Sequence, residues 1–269
     1  QVKETLAIEN IPGFKYTEGP GFMDQMEDQV ASLDVDIMTG VLAEGMEAPG
    51  DKVEVSLDNG AKLFAKTLII ATGARWRLIG IPGETEFRNK GVAYCTHCDG
   101  PLYKRKNVAV IGGGNSGIEA AIDLAGLAKH VTVLEFLPDL KADDALLKKL
   151  KTLSNVTVIT NAQTTGLYGD GKVEKLAYTD RISGKAEEIP ISGCFIQVGL
   201  VPNTEWLKDS GLNLSDRGEI LTAGDGSTNV KRVFAAGDAT DTLFKQIVIA
   251  AGSGATAALG AYNYLMVNE

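Results

Sequence analysis

The chain has 269 residues, 44% of them hydrophobic and 23% charged, with a formal net charge of −9. That length accommodates two modest domains, and the acidic balance, with a pI near 4.9, argues against nucleic acid or an anionic membrane surface as the main partner, because no basic stripe is present to neutralise phosphates. Three cysteines are too few for a disulfide scaffold; two of them are spaced C-x-x-C, which suits a reducing compartment and one redox pair.

In chain order, a helix is predicted from Met26, followed by a strand over Val35-Asp36-Ile37-Met38. A hairpin comes next, VEVSLDNGAKLFA, turning at Asp58-Asn59-Gly60, and then a buried strand from Thr67 to Ala74. From Leu146 the same order recurs: a helix (LLKKLKTL), the strand Val156–Ile159, a hairpin region (KVEKLAYTDRISGKAEEIPI) and the strand Cys194–Gly199. Such an internal repeat predicts two domains of one design. The second copy is preceded by a complete strand, glycine turn, helix and strand from Val108 to Glu135, whereas only a short segment precedes Met26. The expectation is therefore an α/β protein with two three-layer, Rossmann-like nucleotide-binding domains, the first lacking its opening strand, helix and second strand. Residues 1–78 and 201–269 are assigned to that first domain and 79–200 to the second, with Gly80–Gly83 and Gly199–Pro202 as crossing points, since Gly and Pro punctuate there.

The apolar tract Ile247–Met266 is rich in Gly, Ala and Ser. It reads as a closely packed helix inside an α/β domain rather than as a membrane span. Without a signal-like N-terminal pattern, the sequence predicts a soluble, cytoplasmic protein.

The clearest motif is NVAVIGGGNSGIEAAIDLA, Asn107 to Ala125. Gly112 permits a tight turn, Gly114 lets the backbone approach a pyrophosphate, and Gly117 allows the helix to pack close to the strand. Asn115 and Ser116 open the helix, whose N–H groups and positive dipole end face the phosphates. Glu135 ends the next strand, where a carboxylate accepts hydrogen bonds from the adenine ribose and repels a 2′-phosphate. Phe136 to Leu140 contain no arginine to hold such a phosphate. NADH is accordingly expected over NADPH.

The second strong feature is Cys95-Thr96-His97-Cys98-Asp99-Gly100. A C-x-x-C pair can cycle between dithiol and disulfide or supply half a zinc site. Zinc lacks ligands here, because only Cys194, His97 and His130 remain, Cys194 lies in a buried strand, and His97 falls between the two cysteines. No metal site is predicted. Asp99, beside the dithiol, is a candidate proton carrier if burial raises its pKa; its alternative is a turn-forming aspartate.

The stretch VAYCTHCDGPLYKRKNVAVIGGGNSGIEAAIDLA, with IENIPGF, TLIIATGA, VFAAGDATD and KQIVIAAGSG, resembles the low-molecular-weight thioredoxin reductase group over essentially the whole chain. Within it the sequence is most similar to the flavoprotein components of alkyl hydroperoxide reductase, which are NADH:peroxiredoxin reductases. The resemblance implies that Cys98 stands beside the flavin, Cys95 attacks the partner disulfide, and Asp99 serves as their acid/base. It implies that Asp238, after Gly237, binds the flavin ribityl chain and that Lys245, Gln246 and Ile247 line the isoalloxazine edge, with Asn10, Thr72 and Gly73 also bordering the flavin. The implied relay runs from NADH to FAD, to Cys95–Cys98, to a protein disulfide, with the crossing segments as a hinge. The implied partners are a thioredoxin-like module, a peroxiredoxin and a second copy of the chain, paired through the FAD domain. One departure stands out: the first glycine-rich motif, expected to hold the FAD pyrophosphate, is not in the sequence, nor is the thioredoxin-like module. The chain is therefore expected to hold FAD poorly. A thioredoxin reductase, or an FAD-less nucleotide-binding fragment, are the alternatives.

Overall fold

The computed structural model describes residues 2–5 and 8–268. Its elements are α1 (Gly19–Ala31), β1 (Ala43–Glu47), β2 (Val53–Leu57), β3 (Lys62–Ala65), β4 (Leu68–Ile70), β5 (Ala74–Trp76), β6 (Val92–Ala93), α2 (Thr96–Asp99), β7 (Asn107–Ile111), α3 (Asn115–Ala125), β8 (His130–Leu134), α4 (Asp144–Leu150), β9 (Val156–Ile159), β10 (Ala162–Tyr168), β11 (Lys175–Asp180), β12 (Ala186–Pro190), β13 (Gly193–Ile196), β14 (Leu200–Pro202), β15 (Val233–Ala235) and α5 (Ile247–Asn268). Two compact units emerge. Glu9–Arg75 and Leu200–Glu269 belong to the first, Trp76–Gly199 to the second.

The second unit is a three-layer α/β sandwich. Its five-stranded parallel sheet has the order β6-β13-β7-β8-β9, and side-chain alternation along each strand splits the core into two. Val108, Val110, Val131, Val133 and Phe195 point to the face covered by Ile118, Ala121 and Leu124 of α3 and Leu150 of α4. Ala109, Ile111, Leu134, Cys194 and Ile196 point to the other face, against Leu167 and Leu176 of the antiparallel sheet β10-β11-β12. Burial on both faces explains why β7 reads as an unbroken apolar run. Cys194 is fully buried, and burial pushes its thiol well above the ordinary range.

The first unit contains the antiparallel sheet β1-β2-β3, the counterpart of β10-β11-β12, and a parallel pair, β4 with β15. Small residues let α5 pack tightly. Ala257 and Ala261 are buried with Phe234 and Ala236, and a Cβ on Gly260 would run into the carbonyl oxygen of Asp225. No helix among the described residues is long and apolar enough to cross a membrane.

Three expected elements differ. The strand expected from Thr67 to Ala74 is confined to Leu68–Ile70, the three residues that pair with β15. The first helix starts at Gly19, not Met26, with Pro20 in its first turn, where proline's missing N–H costs nothing. Residues 35–38 form no strand. A strand needs a neighbour to take its backbone hydrogen bonds, and none of the ladders among the described residues includes them; Val35, Ile37 and Met38 are more than half exposed.

Candidate functional site

The glycine-rich turn lies between β7 and α3. Gly112 has φ +118°, the left-handed side of backbone space, and a Cβ there would strike the carbonyl oxygen of Gln197. A Cβ on Gly117 would strike the carbonyl oxygen of Gly112, so only glycine lets α3 approach β7 this closely. Gly114 is different: nothing lies within 4 Å of a Cβ built there, leaving its face open to a ligand. Ser116 is exposed at the helix start, and Asn115 exchanges two hydrogen bonds with Asp143: Nδ2 donates to Oδ2 at 2.9 Å, and Oδ1 accepts from the Asp143 N–H at 2.8 Å.

Glu135 follows β8 and is drawn onto this turn. Its Oε2 accepts from the Gly113 N–H at 2.5 Å and its Oε1 from the Leu137 N–H at 2.8 Å. Gly113, which the motif leaves open to any residue, sits so close that a Cβ would lie 2.6 Å from Leu140 and 2.7 Å from Glu135 Oε2, so a larger residue would push those side chains aside. An arginine also reaches this region, contrary to the impression left by residues 136–140. It is Arg181, from the β11–β12 turn, whose guanidinium carbon stands 3.8 Å from the Phe136 ring centroid and whose Nη1 donates to the Phe136 carbonyl at 2.7 Å. A linear scan could not find it, since the two residues are 45 positions apart.

The dithiol occupies the same unit. Cys95 and Cys98 form a disulfide with Cα atoms 5.3 Å apart. Cys95 caps the four-residue helix α2, its Sγ accepting from the Cys98 N–H at 3.2 Å. Asp99 is half-buried, and desolvation raises its carboxyl from 3.8 to about 6. The residue before the pair is anchored twice: the Tyr94 hydroxyl donates to Glu84 Oε1 at 3.0 Å, and its carbonyl accepts from Gln197 Nε2 at 2.7 Å. His97 lies 3.7 Å from Asp123 of α3, both well exposed.

Within the first unit, Gly237 (φ +72°) and Asp238 follow β15 in a short 3-10 turn. Asp238 Oδ1 is buried without a hydrogen-bond partner, and desolvation raises this carboxyl. Lys245 Nζ donates to the Thr240 carbonyl at 2.5 Å and pairs with Glu219 at 3.0 Å. Asn10 Nδ2 donates to Gln246 Oε1 at 2.9 Å, next to Ile247 at the head of α5. Thr72 Oγ1 donates to the Asn203 carbonyl, and Asn203 Nδ2 donates back to the Thr72 carbonyl, each at 2.8 Å; Gly73 beside them has φ +67°. Asn203 carries no motif and was not recognisable from sequence.

Residues 3–254 match the family described as pyridine nucleotide-disulphide oxidoreductase. The chain belongs to that family. Members of the pyridine nucleotide-disulphide oxidoreductases use FAD and NAD(P)H. Over its whole length the chain is 55% identical to a protein named NADH dehydrogenase from Ferdinandcohnia aciditolerans, covering 51% of it. It is 50% identical to the F component of alkyl hydroperoxide reductase from Staphylococcus aureus, covering 53% of that protein. The chain thus spans about half the length of these curated relatives. Among solved structures, thioredoxin reductase from Streptococcus pyogenes superposes with a TM-score of 0.91 at 33% identity, over 99% of this chain and 87% of that one.

Proposed function

We propose that this chain is the nucleotide- and dithiol-bearing core of an NADH-dependent disulfide reductase whose electrons reach a peroxiredoxin through a thioredoxin-like protein disulfide. The observation that carries the reading is the Cys95–Cys98 disulfide, with Asp99 next to it holding a carboxyl near pH 6. The peroxide-related part rests on relatives named as the F component of alkyl hydroperoxide reductase.

The residues fit a flavin in its ribityl and ring portions. Asp238 presents a buried acceptor with no donor of its own, which suits a ligand hydroxyl, and Lys245, Gln246, Ile247, Asn10, Thr72 and Gly73 would hold the remainder. When bound, FAD would supply hydride-accepting, two-electron chemistry between the reduced nicotinamide and the disulfide. The chain's own groups do the rest. Gly112, Gly114 and Gly117 with the α3 N-terminus, including Asn115 and Ser116, would hold the pyrophosphate, and Glu135 would take the ribose hydroxyls.

The Cys98 N–H, which donates to Cys95 Sγ in the disulfide state, would favour the Cys95 thiolate once the pair is reduced. Cys95 attacks the acceptor disulfide, forming a mixed disulfide and releasing one acceptor thiolate. Cys98 then attacks Cys95 Sγ, releasing the second and restoring the intramolecular disulfide. Asp99, protonated below about pH 6, carries protons to and from the pair as it cycles.

The test is to add FAD and then NADH or NADPH anaerobically to the chain and to count accessible thiols. Two new thiols with NADH, few with NADPH, and none in the Cys95→Ser/Cys98→Ser variant are expected. No new thiols despite bound FAD would overturn the relay. Transfer to thioredoxin in preference to a peroxiredoxin-linked module would redirect the acceptor assignment.

A further inference from the structure

The segment that follows the ribose carboxylate is clasped from behind by residues far away in sequence. The Ala162 N–H donates to the Glu135 carbonyl at 2.9 Å, the Asn161 N–H to the Leu137 carbonyl at 3.0 Å, and the Arg181 N–H to the Asn161 carbonyl at 2.8 Å. Asp180 builds the turn that aims Arg181, its Oδ1 accepting from the Ile182 and Ser183 N–H groups at 2.8 and 3.0 Å. The guanidinium lies over Phe136 and spends one N–H on the Phe136 carbonyl. Of its five donors, that is the one the protein uses in these contacts, and both Arg181 and Phe136 are exposed.

A guanidinium spread over an aromatic ring presents a second flat, cationic face outward. Adenine is a flat π system joined directly to the ribose that Glu135 is positioned to hold, and arginine planes stack on such rings. We infer that Arg181, backed by Phe136, is the adenine platform of the nucleotide site, a specificity-determining contact for the adenosine half of NADH. The inference rests on the nucleotide reading given above and adds the base-recognising residue to it. Arg181 recognises the base, while discrimination against a 2′-phosphate stays with Glu135.

Isothermal titration of the 269-residue chain separates these roles without any flavin, using ADP-ribose, its 2′-phosphorylated form and nicotinamide mononucleotide. Arg181→Ala is expected to weaken ADP-ribose binding roughly tenfold, the size of a desolvated cation–π contact. It should leave nicotinamide mononucleotide and the preference for the unphosphorylated ribose unchanged. Arg181→Lys keeps the charge but loses the plane, so it should weaken ADP-ribose binding about as much; this variant also guards against misfolding of the alanine form. Wild-type affinity in both variants would overturn the platform, and so would rescue by lysine, which would assign the contact to charge alone. Selective loss of discrimination against the 2′-phosphate would likewise overturn it. If the wild-type chain bound no ADP-ribose, the nucleotide site itself would fall, an outcome distinct from failure of Arg181 alone.

Discussion

The hydroxyl of Tyr94 donates to Glu84 Oε1 at 3.0 Å inside a core where Glu84 is 2% exposed. The same carboxylate accepts from the backbone N–H groups of Ile79 (3.1 Å) and Gly80 (2.7 Å). Three donors thus depend on one buried acceptor. Glu84→Ala should destabilise the second unit by about 3 kcal/mol, because each orphaned donor keeps its desolvation penalty. A denaturation midpoint measured in urea checks this, and a loss below ~0.5 kcal/mol, the size of an ordinary surface change, would contradict it.

The glycines of the turn should separate folding from binding. Gly117→Ala forces a collision with the Gly112 backbone and should cost about 1–3 kcal/mol of stability, as overpacking does. Gly114, with φ −83° and open space around its Cβ position, should accept alanine with an unchanged melting temperature while losing affinity for ADP-ribose. Equal losses of melting temperature in the two variants would contradict the open space at Gly114, and unchanged ADP-ribose affinity in Gly114→Ala would show that its open face has no ligand role.

Asp99 makes a pH prediction whose sign can be worked out. Its folded pKa, about 6, lies above the ordinary 3.8, so the native state holds the proton longer than the unfolded chain. Relative stability is full below about pH 4 and is lost as pH rises through about 6. Asp99→Asn should therefore gain about 1–2 kcal/mol over wild type at pH 8 and nothing at pH 4, after discounting for partial exposure. The variant should also lose the step near pH 6 in the rate of dithiol–disulfide exchange, measured by stopped flow with a small aromatic disulfide.

Thiol accessibility gives a simple count. The reduced native chain should react rapidly at Cys95 and Cys98, while Cys194, fully buried and with its thiol pKa raised by desolvation, should react only on denaturation. Rapid labelling of all three cysteines would contradict the packed environment of β13.

Asp238→Ala should weaken FAD binding about tenfold or more, since it removes the unpartnered buried acceptor offered to a ligand hydroxyl, a contact worth about 1.5–3 kcal/mol when charged. Quenching of FAD fluorescence on titration with the chain measures it.

Elements whose pattern is local were legible in the sequence. The apolar run of β7, the glycines after it and the Asp58-Asn59-Gly60 hairpin each carry their instructions within a few residues. Cys194 was placed correctly because an apolar strand buried on both faces leaves little ambiguity. Val35–Met38 misled because β-branched composition proposes a strand, whereas only a hydrogen-bonded neighbour makes one. Gly113, Asn203, Gln197 and Arg181 escaped notice for another reason. Their roles come from partners between 22 and 131 residues away, and no spacing rule joins such positions before the sheets form.

The aim of Arg181 by the Asp180 turn has a consequence for anyone grafting adenosine affinity onto a related scaffold. If Arg181 is the adenine platform, transplanting the glycine loop and the Glu135 strand from another reductase would carry the ribose preference but not the base contact, leaving the recipient's own β11–β12 hairpin to meet a foreign segment. A one-residue insertion in that exposed turn would swing the guanidinium away while every residue of the familiar fingerprint stayed in place. Natural drift in hairpin length would then tune affinity for the adenosine half of the cofactor without touching the ribose preference, a change that comparison of fingerprints alone would overlook.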